Sequence, residues 1–299
     1  MNAFPIRYIE PVFRPPSEAK SLILPVTNGC SWNKCTFCEM YTQPQKKFRA
    51  RKDDDIRQDI ASAASAFGGQ VSRVFLADGD AMVLPTRRLL AILAELKSTF
   101  PALRRVSSYC LPRNVARKTV DELAELREAG LEILYVGMES GDDEVLRRVN
   151  KGESYESTRS ALTKIHAAGL TSSVMVLNGL GGEALSEQHA VNTARLCNET
   201  QPHFLSTLVV SFPQGEARFR EGFGSDFEPL SQQGLFREIR QFLDNLELTK
   251  TVFRSDHASN YLVLKGTLGR DKSRLLEEVD FAIANPGVAP LRPEWMRGL

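Results

Sequence analysis

The sequence predicts an α/β protein built as a partial or full parallel (β/α) barrel of six to seven strand–helix units. Short apolar segments alternate with longer amphipathic ones, glycines end several helical segments, and 299 residues suffice for one barrel. Strand–helix–strand order requires crossover connections, which give parallel strands. A doubly wound open sheet shows the same alternation and is the competing architecture.

The predicted strands are short runs rich in aliphatic and aromatic residues. The first of them, Ser21–Val26, continues directly into a loop that contains three cysteines. Ligands collect at the carboxyl ends of parallel strands, so the residues after each strand are the candidates for a functional site. The predicted strands cover residues 21–26, 71–77, 104–109, 131–136, 170–177, 204–210 and 248–253.

The predicted helices lie between these strands. The first opens with three aspartates, Asp53–Asp55, which suit the positive end of a helix dipole, and it ends before Gly68. Gly130 and Gly169 end two later helices. The predicted helices cover residues 53–66, 86–99, 118–129, 142–149, 155–168, 185–200 and 229–246.

Composition excludes several classes of protein. Hydrophobic residues make up 42% and charged residues 25%, which rules out a disordered, collagen-like or coiled-coil chain. A net charge of +1 provides no global attraction to nucleic acid or anionic lipid. No segment approaches the roughly 18 apolar residues of a membrane span, and prolines and charges interrupt any export signal near the N-terminus. We expect a cytoplasmic protein with no membrane partner.

Three of the five cysteines, Cys30, Cys35 and Cys38, fall within nine positions. In a reducing compartment such a group favours metal binding over disulfides. Three thiolates hold three irons of a 4Fe–4S cluster and leave the fourth iron open to a non-protein ligand. Structural zinc needs a fourth ligand, and the histidines are far away in sequence. The residues favour the open cluster, with zinc or unrelated buried cysteines as alternatives.

This cysteine loop resembles the radical S-adenosylmethionine (radical SAM) superfamily. The usual gaps there are three and two residues, with an aromatic before the last cysteine; here the first gap is four, and Phe37 is the aromatic. The resemblance implies that SAM binds the open iron. One electron then cleaves SAM to methionine and a 5′-deoxyadenosyl radical, which abstracts hydrogen from a substrate. It also implies a reductant such as flavodoxin or ferredoxin as a partner.

The resemblance extends over a core barrel at residues 21–210. It leaves residues 1–20 as an extension and residues 211–299 as C-terminal elements that complete or cover the barrel and contribute to the substrate site. After the second strand stands Ala77-Asp78-Gly79-Asp80, where the family has a Gly-Gly-Glu-type segment. There the resemblance implies that the backbone of Gly79 and Asp80 binds the SAM amino group, with an ordinary Gly/Asp turn as the alternative. Ser108, near the end of the third strand, is expected at the methionine or ribose end of SAM.

Two later strand ends also resemble the superfamily. Glu139 is predicted to accept hydrogen bonds from the SAM ribose, with Ser140 beside it. Lys151 is predicted to pair with the SAM carboxylate, although a solvated surface lysine is its alternative. Asn178 and Gly179 open a glycine-rich stretch expected to pack against adenine. A glycine-rich turn before a helix fits the last segment equally well.

Few residues point to the substrate. Cys110, at a strand end, is the candidate catalytic residue as a hydrogen or proton donor, with a small buried side chain as the alternative. Cys197, in a helical segment, is predicted to be core. Arg254, His257 and Asn260 follow the last predicted strand and are expected to orient a polar substrate. A capped loop is the alternative there.

A basic stretch at residues 46–52, near Tyr41, has the composition of a phosphate or RNA site. The neighbouring Asp53–Asp55 favour a solvated, charge-balanced face instead, so nucleic acid is not expected. The leading hypothesis is a radical SAM enzyme acting on a small molecule, an oxidoreductase or a transferase. The alternatives are an RNA-modifying radical SAM enzyme, a non-catalytic Fe–S/SAM sensor, and cleavage of a different S–C bond of SAM.

Overall fold

The computed structural model describes residues 5–298, in which strands and helices alternate along the chain. The strands are β1 (Leu22–Pro25), β2 (Thr27–Asn28), β3 (Arg49–Ala50), β4 (Arg73–Ala77), β5 (Arg105–Cys110), β6 (Leu131–Glu139), β7 (Thr171–Asn178), β8 (Phe204–Val209), β9 (Val252–Ser255) and β10 (Leu264–Thr267). The helices are α1 (Asp53–Phe67), α2 (Thr86–Thr99), α3 (Pro112–Ala116), α4 (Val120–Glu128), α5 (Asp143–Arg148), α6 (Tyr155–Ala167), α7 (Gly182–Thr200), α8 (Ala217–Phe223), α9 (Gln232–Asn245) and α10 (Lys272–Ala284).

The main sheet contains eight strands in the order β1-β4-β5-β6-β7-β8-β9-β10. Strands β1, β4, β5 and β6 pair in parallel, as do β7, β8 and β9, whereas β10 is antiparallel to β9. Neighbouring strands therefore follow chain order, while a doubly wound sheet reverses its order at a switch point. The predicted α/β fold of the parallel-barrel type is confirmed, and the open-sheet alternative is not the one observed.

The C-terminal part differs from the sequence prediction. Strand β9 begins at Val252 rather than at residue 248, because Leu248 is buried in the preceding segment without joining the sheet. Strand β10 and helices α8 and α10 in this part are absent from the sequence prediction, as are β2, β3 and α3 earlier in the chain. Strand β10 is four residues long, contains Gly266 and buries only its first side chain, so it carries no alternating apolar pattern.

A small antiparallel pair, β2 with β3, closes the loop that carries the cysteines. Asn28 lies opposite Arg49 in this pair. The side-chain amide of Asn28 donates to the carbonyl oxygens of Gln45 and Lys47, at 2.8 and 3.0 Å. The base of the cysteine loop is therefore fixed directly after β1 by backbone and side-chain hydrogen bonds.

The chain forms two compact units. The first contains the described residues up to Asn33, then Cys38–Val136 and Thr163–Ser172. The second contains Lys34–Phe37, Gly137–Leu162 and the described residues from Ser173 onward.

The first unit has an aromatic core on one face of its strands. Phe75 packs edge to face against Tyr109 and Tyr135, with ring centroids 5.1 and 6.1 Å apart. The Tyr135 hydroxyl donates to the buried Glu18 carboxylate at 2.6 Å, and Arg105 donates to it at 2.8 Å. Burial raises the pKa of Glu18, but hydrogen bonds and the Arg105 charge bring it below its usual value.

The second unit has a phenylalanine-rich core. Phe219 lies 4.6 Å from Phe227 and 5.3 Å from Phe223, measured between ring centroids. Helix α7 packs against α9, and α9 against α10. Cys197 of α7 is fully buried, as predicted, and burial raises the pKa of its thiol to about 12. The buried side chains of this phenylalanine-rich core are Val145, Val149, Leu180, Phe219, Phe223 and Phe227.

Local sequence explains several helix starts. Helix α4 begins with a capping box, in which Thr119 and Glu122 exchange side-chain and backbone hydrogen bonds. The carboxylate of Asp142 caps α5 by accepting from the Val145 backbone N–H at 2.9 Å. Helix α1 carries three aspartates in its first turn, as predicted. No helix within residues 5–298 is long and apolar enough to cross a membrane.

Candidate active site

The cysteine loop carries three cysteine thiols. Cys30 and Cys38 are half-buried, and Cys35 is buried. In the second unit, the Cys35 sulfur lies 4.0 Å from the backbone oxygen of Lys151. The next residue, Thr36, donates its backbone N–H to the oxygen of Val149 at 3.0 Å. The short segment around Cys35 is therefore fixed against the residues that follow α5.

The donor set fits an iron–sulfur cluster in its chemistry. Tyr41 is buried in the first unit, near Asp78, Cys38 and Cys30. Burial is the main reason that the pKa of Tyr41 lies well above its usual value, and the negative charge of these neighbours raises it further. Three cysteine side chains on one short loop supply the kind of thiolate that ligates such clusters. Among residues 5–298, no three His, Cys, Asp or Glu side chains lie close enough together to hold a metal ion. The assignment of the three cysteines as ligands therefore rests on spacing and donor type.

Close backbone packing surrounds the turn after β4. A Cβ atom at Gly79 would lie 2.8 Å from the Tyr41 ring and 3.0 Å from the backbone oxygen of Gly29. Gly29 itself has a φ of +71°, and a Cβ there would lie 2.0 Å from the backbone oxygen of Lys46. Glycine is required at both positions: a side chain at Gly79 would force the cysteine loop away from β4, and one at Gly29 would displace the Lys46 backbone within the loop.

Two buried carboxylates connect the turn after β4 to the cysteine loop. Asp78 pairs with the ammonium of Lys46, and both side chains are almost fully buried. Asp80 accepts hydrogen bonds from the Ser31 hydroxyl and, at 2.5 Å, from the side-chain amide of Asn114. Burial raises the pKa of Asp78, and it raises the pKa of Asp80 to about 6. The predicted backbone contact of Asp80 is thus accompanied by a side chain that anchors Ser31, next to Cys30.

Glu139 and Lys151 form a buried ion pair in the second unit. The Lys151 ammonium donates to Glu139 Oε1 at 2.9 Å, and the side chains are 5% exposed for Lys151 and 11% for Glu139. Glu139 has a φ of 61°, in the left-handed region that is unfavourable for residues other than glycine. A Cβ at Gly137 would lie 2.1 Å from Glu139 Oε1, so Gly137 leaves room for this carboxylate. Lys151 also lies over the Phe37 ring, 5.8 Å from its centroid.

Ser140 belongs to a buried chain of hydrogen bonds. Its hydroxyl lies 2.8 Å from Nδ1 of His189, and Nε2 of that ring donates to the Leu177 backbone oxygen at 3.1 Å. In the neutral imidazole, Nδ1 is then the acceptor and Ser140 the donor. The Asp142 backbone N–H donates to the same hydroxyl at 3.0 Å. Ser140 thus ties the segment after β6 to α7.

Asn178 and Gly179 are held by helix α9. The side-chain amide of Asn178 donates to the backbone oxygen of Leu235 at 3.3 Å. The backbone N–H of Gly179 donates to Glu238 Oε1 at 2.6 Å, and the other carboxylate oxygen accepts from the Ser186 hydroxyl at 2.6 Å. The segment predicted to contact adenine is therefore fixed by a carboxylate that is fully buried.

Ser108 and Cys110 lie on one face of β5, because side chains alternate along a strand. Tyr109, on the opposite face, contacts the aromatic core. The Ser108 hydroxyl donates to the Leu76 backbone oxygen at 3.1 Å. Cys110 is 2% exposed, and its sulfur lies 3.6 Å from the Leu111 backbone oxygen. The cofactor contact of Ser108 and the catalytic role of Cys110 stay predictions.

The loop after β9 is held by internal bonds and by the C-terminal tail. The side-chain amide of Asn260 donates to the backbone oxygen of Thr207 at 2.8 Å. Arg292, from the tail, donates to the backbone oxygens of His257 and Asn260 at 2.5 and 2.7 Å. Burial lowers the pKa of His257, and the nearby Arg292 charge lowers it further. Of the three predicted substrate residues, Arg254 is the one whose side chain is exposed.

The basic stretch at residues 46–52 is partly internal. Lys46 is buried in its pair with Asp78, and Arg51 pairs with Asp59. Three cationic side chains of the stretch remain exposed: Lys47, Arg49 and Lys52. The charge available on this face is therefore smaller than the sequence indicates.

Sequence reasoning missed three polar residues that fix the site, namely Lys46, His189 and Glu238. Glu238 carried a signal, because it lies three residues after Leu235 and four before Phe242, on the apolar face of a helix. A charged residue on such a face is buried with a partner. Its partner, the Gly179 backbone, lies 59 positions away, and no local pattern indicates it.

Comparison with known proteins gives the family. The family model of the Radical SAM superfamily matches residues 24–197, more than half of the chain. The tRNA-2-methylthio-N(6)-dimethylallyladenosine synthase of Aromatoleum aromaticum is 25% identical over 200 residues, 61% of this chain and 42% of that protein. The 4'-phospho-dehydrooxetanocin synthase of Priestia megaterium is 25% identical over 168 residues, 50% of this chain and 22% of that protein. The chain thus spans less than half the length of these curated relatives.

A solved structure agrees on the fold. Coproporphyrinogen III oxidase from Escherichia coli, described as a radical SAM enzyme, superposes with a TM-score of 0.55 at 18% identity, over 81% of this chain and 52% of that one. At this identity the likeness concerns the fold alone. Together with the matched family model, the parallel sheet and the cysteine loop, it confirms the resemblance: the chain belongs to the radical SAM superfamily, whose enzymes use a 4Fe–4S cluster and SAM.

Proposed function

We propose that this chain is a radical SAM enzyme that holds a 4Fe–4S cluster through Cys30, Cys35 and Cys38 and acts on a small molecule. When bound, the reduced cluster supplies one electron that cleaves SAM into methionine and a 5′-deoxyadenosyl radical, which takes a hydrogen atom from the substrate. The observation that carries the proposal is the buried Glu139–Lys151 pair, which lies in one unit with the Cys35 segment.

The charges of this pair complement two parts of SAM. The Glu139 carboxylate has the capacity to accept hydrogen bonds from both ribose hydroxyls, and the Lys151 ammonium suits a carboxylate. Burying two charges costs free energy, and the left-handed backbone of Glu139 adds to that cost. Buried charges and strained backbone of this kind are retained at functional sites, where binding or catalysis requires those groups. Without SAM, the pair keeps both charges partnered.

In the first unit, the backbone of Gly79 and Asp80 is proposed to receive the SAM amino group. The glycine packing at Gly79 keeps this backbone against the cysteine loop, with no side chain between them. The nearby Asp80 carboxylate, bonded to the neutral side chains of Ser31 and Asn114, brings negative charge that favours the cationic amino and sulfonium groups of SAM. Residues 211–299 are proposed to supply substrate contacts, and a flavodoxin or ferredoxin to supply the electron.

The test is anaerobic reconstitution with iron and sulfide, reduction with dithionite and chromatography for 5′-deoxyadenosine. Cys35→Ala is the variant that should lose the cluster, and Cys197→Ala is a matched control, because Cys197 is buried in the core of α7. We expect 5′-deoxyadenosine from the parent chain and from Cys197→Ala only. A cluster without SAM cleavage would support a sensor, and a different SAM fragment would indicate cleavage of another S–C bond. Absence of any cluster would overturn the proposal.

Modification of RNA is the second candidate, favoured by the similarity to a synthase whose name specifies a tRNA product. The partly internal basic stretch favours a small molecule instead. Retention of tRNA on the holoenzyme at physiological salt separates the two, since phosphate contacts dominate such binding. We expect no retention. Tight binding that Lys47→Ala and Lys52→Ala abolish would establish the RNA alternative.

A further inference from the structure

We propose that Glu238 is a positioning residue that holds the Asn178–Gly179 turn in the conformation that binds SAM. The inference rests on the proposed function, because SAM binding by this turn is part of it. Glu238 lies in α9, beyond residues 24–197 that match the family model. It is therefore a contribution of the C-terminal part of this chain to a segment within the matched core.

The peptide group between Asn178 and Gly179 is held at both of its polar atoms. Its carbonyl oxygen accepts from the Val210 backbone N–H at 2.9 Å. Its N–H donates to Glu238 Oε1 at 2.6 Å. Gly179 has a φ of +82°, and a Cβ there would lie 3.0 Å from a Leu235 methyl group. Two hydrogen bonds and a glycine-only conformation thus define the orientation of this peptide plane.

Burying the Glu238 carboxylate costs free energy that an apolar side chain in its place would not cost. The Glu238 side chain is 1% exposed, and burial raises the pKa of its carboxyl above the usual value. Apolar residues in place of buried charges are often neutral or stabilising. The carboxylate accepts from the Gly179 N–H and from Ser186, and His189 Nε2 lies 3.9 Å from it. Its distinctive contribution is a strong acceptor aimed at one backbone N–H.

Glu238 lies next to His189, which contacts a second segment predicted to bind SAM. His189 contacts the Leu177 backbone oxygen at the end of β7, and through Nδ1 it contacts Ser140, which follows Glu139. A side chain of α7 therefore contacts Ser140, and a side chain of α9 holds the turn at residues 178–179. Loss of the Glu238 acceptor should loosen the turn after β7 and weaken SAM binding before it affects any chemical step.

The experiment compares SAM affinity and thermal unfolding of reconstituted holoenzymes. Glu238→Leu removes the acceptor, and Glu238→Gln keeps an amide oxygen that accepts from the Gly179 N–H. Glu238→Asp keeps the charge but is too short to contact both Gly179 and Ser186. Glu18→Leu is the matched control, since Glu18 is also a buried glutamate, bonded to Tyr135 and Arg105 instead. SAM dissociation constants come from equilibrium dialysis with labelled SAM.

We expect Glu238→Leu to weaken SAM binding about tenfold and Glu238→Asp several-fold, while Glu238→Gln stays within about threefold of the parent. KM for SAM should rise with kcat for 5′-deoxyadenosine nearly unchanged. Glu18→Leu should lower the unfolding temperature without changing SAM affinity. Parent affinity in Glu238→Leu would overturn the inference, and if that variant does not fold, parent affinity in Glu238→Asp would do so. A parent holoenzyme that binds no SAM overturns the proposed function and this inference together.

Discussion

Replacing Lys151 tests the buried ion pair between Glu139 and Lys151. Lys151→Met keeps the length of the side chain and leaves the Glu139 carboxylate without its ammonium partner, in a position where it is 11% exposed. Removing one partner of a fully buried ion pair costs about 3–5 kcal/mol of folding free energy, because the remaining charge stays buried without compensation. The partial exposure of Glu139 reduces this cost, so we expect a loss of about 2 kcal/mol at pH 7.

A double-mutant cycle isolates the interaction. Lys151→Met, Glu139→Gln and the double variant are compared by urea unfolding of the SAM-free chain. The charge-assisted hydrogen bond at 2.9 Å predicts a coupling free energy of about 1.5–3 kcal/mol between the two positions. The double variant should therefore be more stable than the sum of the single losses indicates. Additive losses, within about 0.5 kcal/mol, would refute the energetic role of the pair.

Three further predictions address neighbouring groups. Gly79→Ala should destabilise the chain by about 2 kcal/mol in urea unfolding, because its Cβ would lie 2.8 Å from the Tyr41 ring; Gly287→Ala, where a Cβ meets nothing within 4 Å, is the control and should change little. Asp80 has a pKa raised from 3.8 to about 6, so its protonated form stabilises the fold at low pH and that contribution is lost as pH rises towards 6. Relative to Asp80→Asn, the parent should lose about 2 kcal/mol between pH 4.5 and 6.5, and parallel pH profiles would contradict this. Cys110→Ala should still form 5′-deoxyadenosine, because Cys110 is buried on the face of β5 opposite Tyr109; complete loss in a folded variant would support its predicted catalytic role.

The fold was largely predictable from sequence because its parallel strands are buried and bounded by clear stops. Apolar runs such as residues 131–136 and the glycines that precede them, for example Gly130, mark β6 without tertiary information. The end of the chain was less predictable. Leu248 is an apolar residue buried in a loop, and for that reason the predicted last strand starts earlier than β9 does. Strand β10 is too short to show an alternating pattern.

The candidate site was predictable only as a set of positions. Motif spacing identified Glu139 and Lys151 separately, but no local pattern indicates their direct contact or the left-handed backbone at Glu139. Lys46 stood in a basic stretch that indicated a solvated face, whereas it is buried against Asp78. Glu238 acts on a backbone N–H distant in sequence. Such partners are set by packing between elements, and a single sequence does not encode them locally.

The most direct test of the account is electron paramagnetic resonance of the reduced, reconstituted chain with and without SAM. A cluster held by three cysteines leaves one iron open, so SAM binding at that iron should change the g-values of the reduced 4Fe–4S signal. Lys151→Met should need a higher SAM concentration for the same change. A reduced 4Fe–4S signal that SAM leaves unaltered, or a chain that retains zinc and no iron, would contradict the central claim.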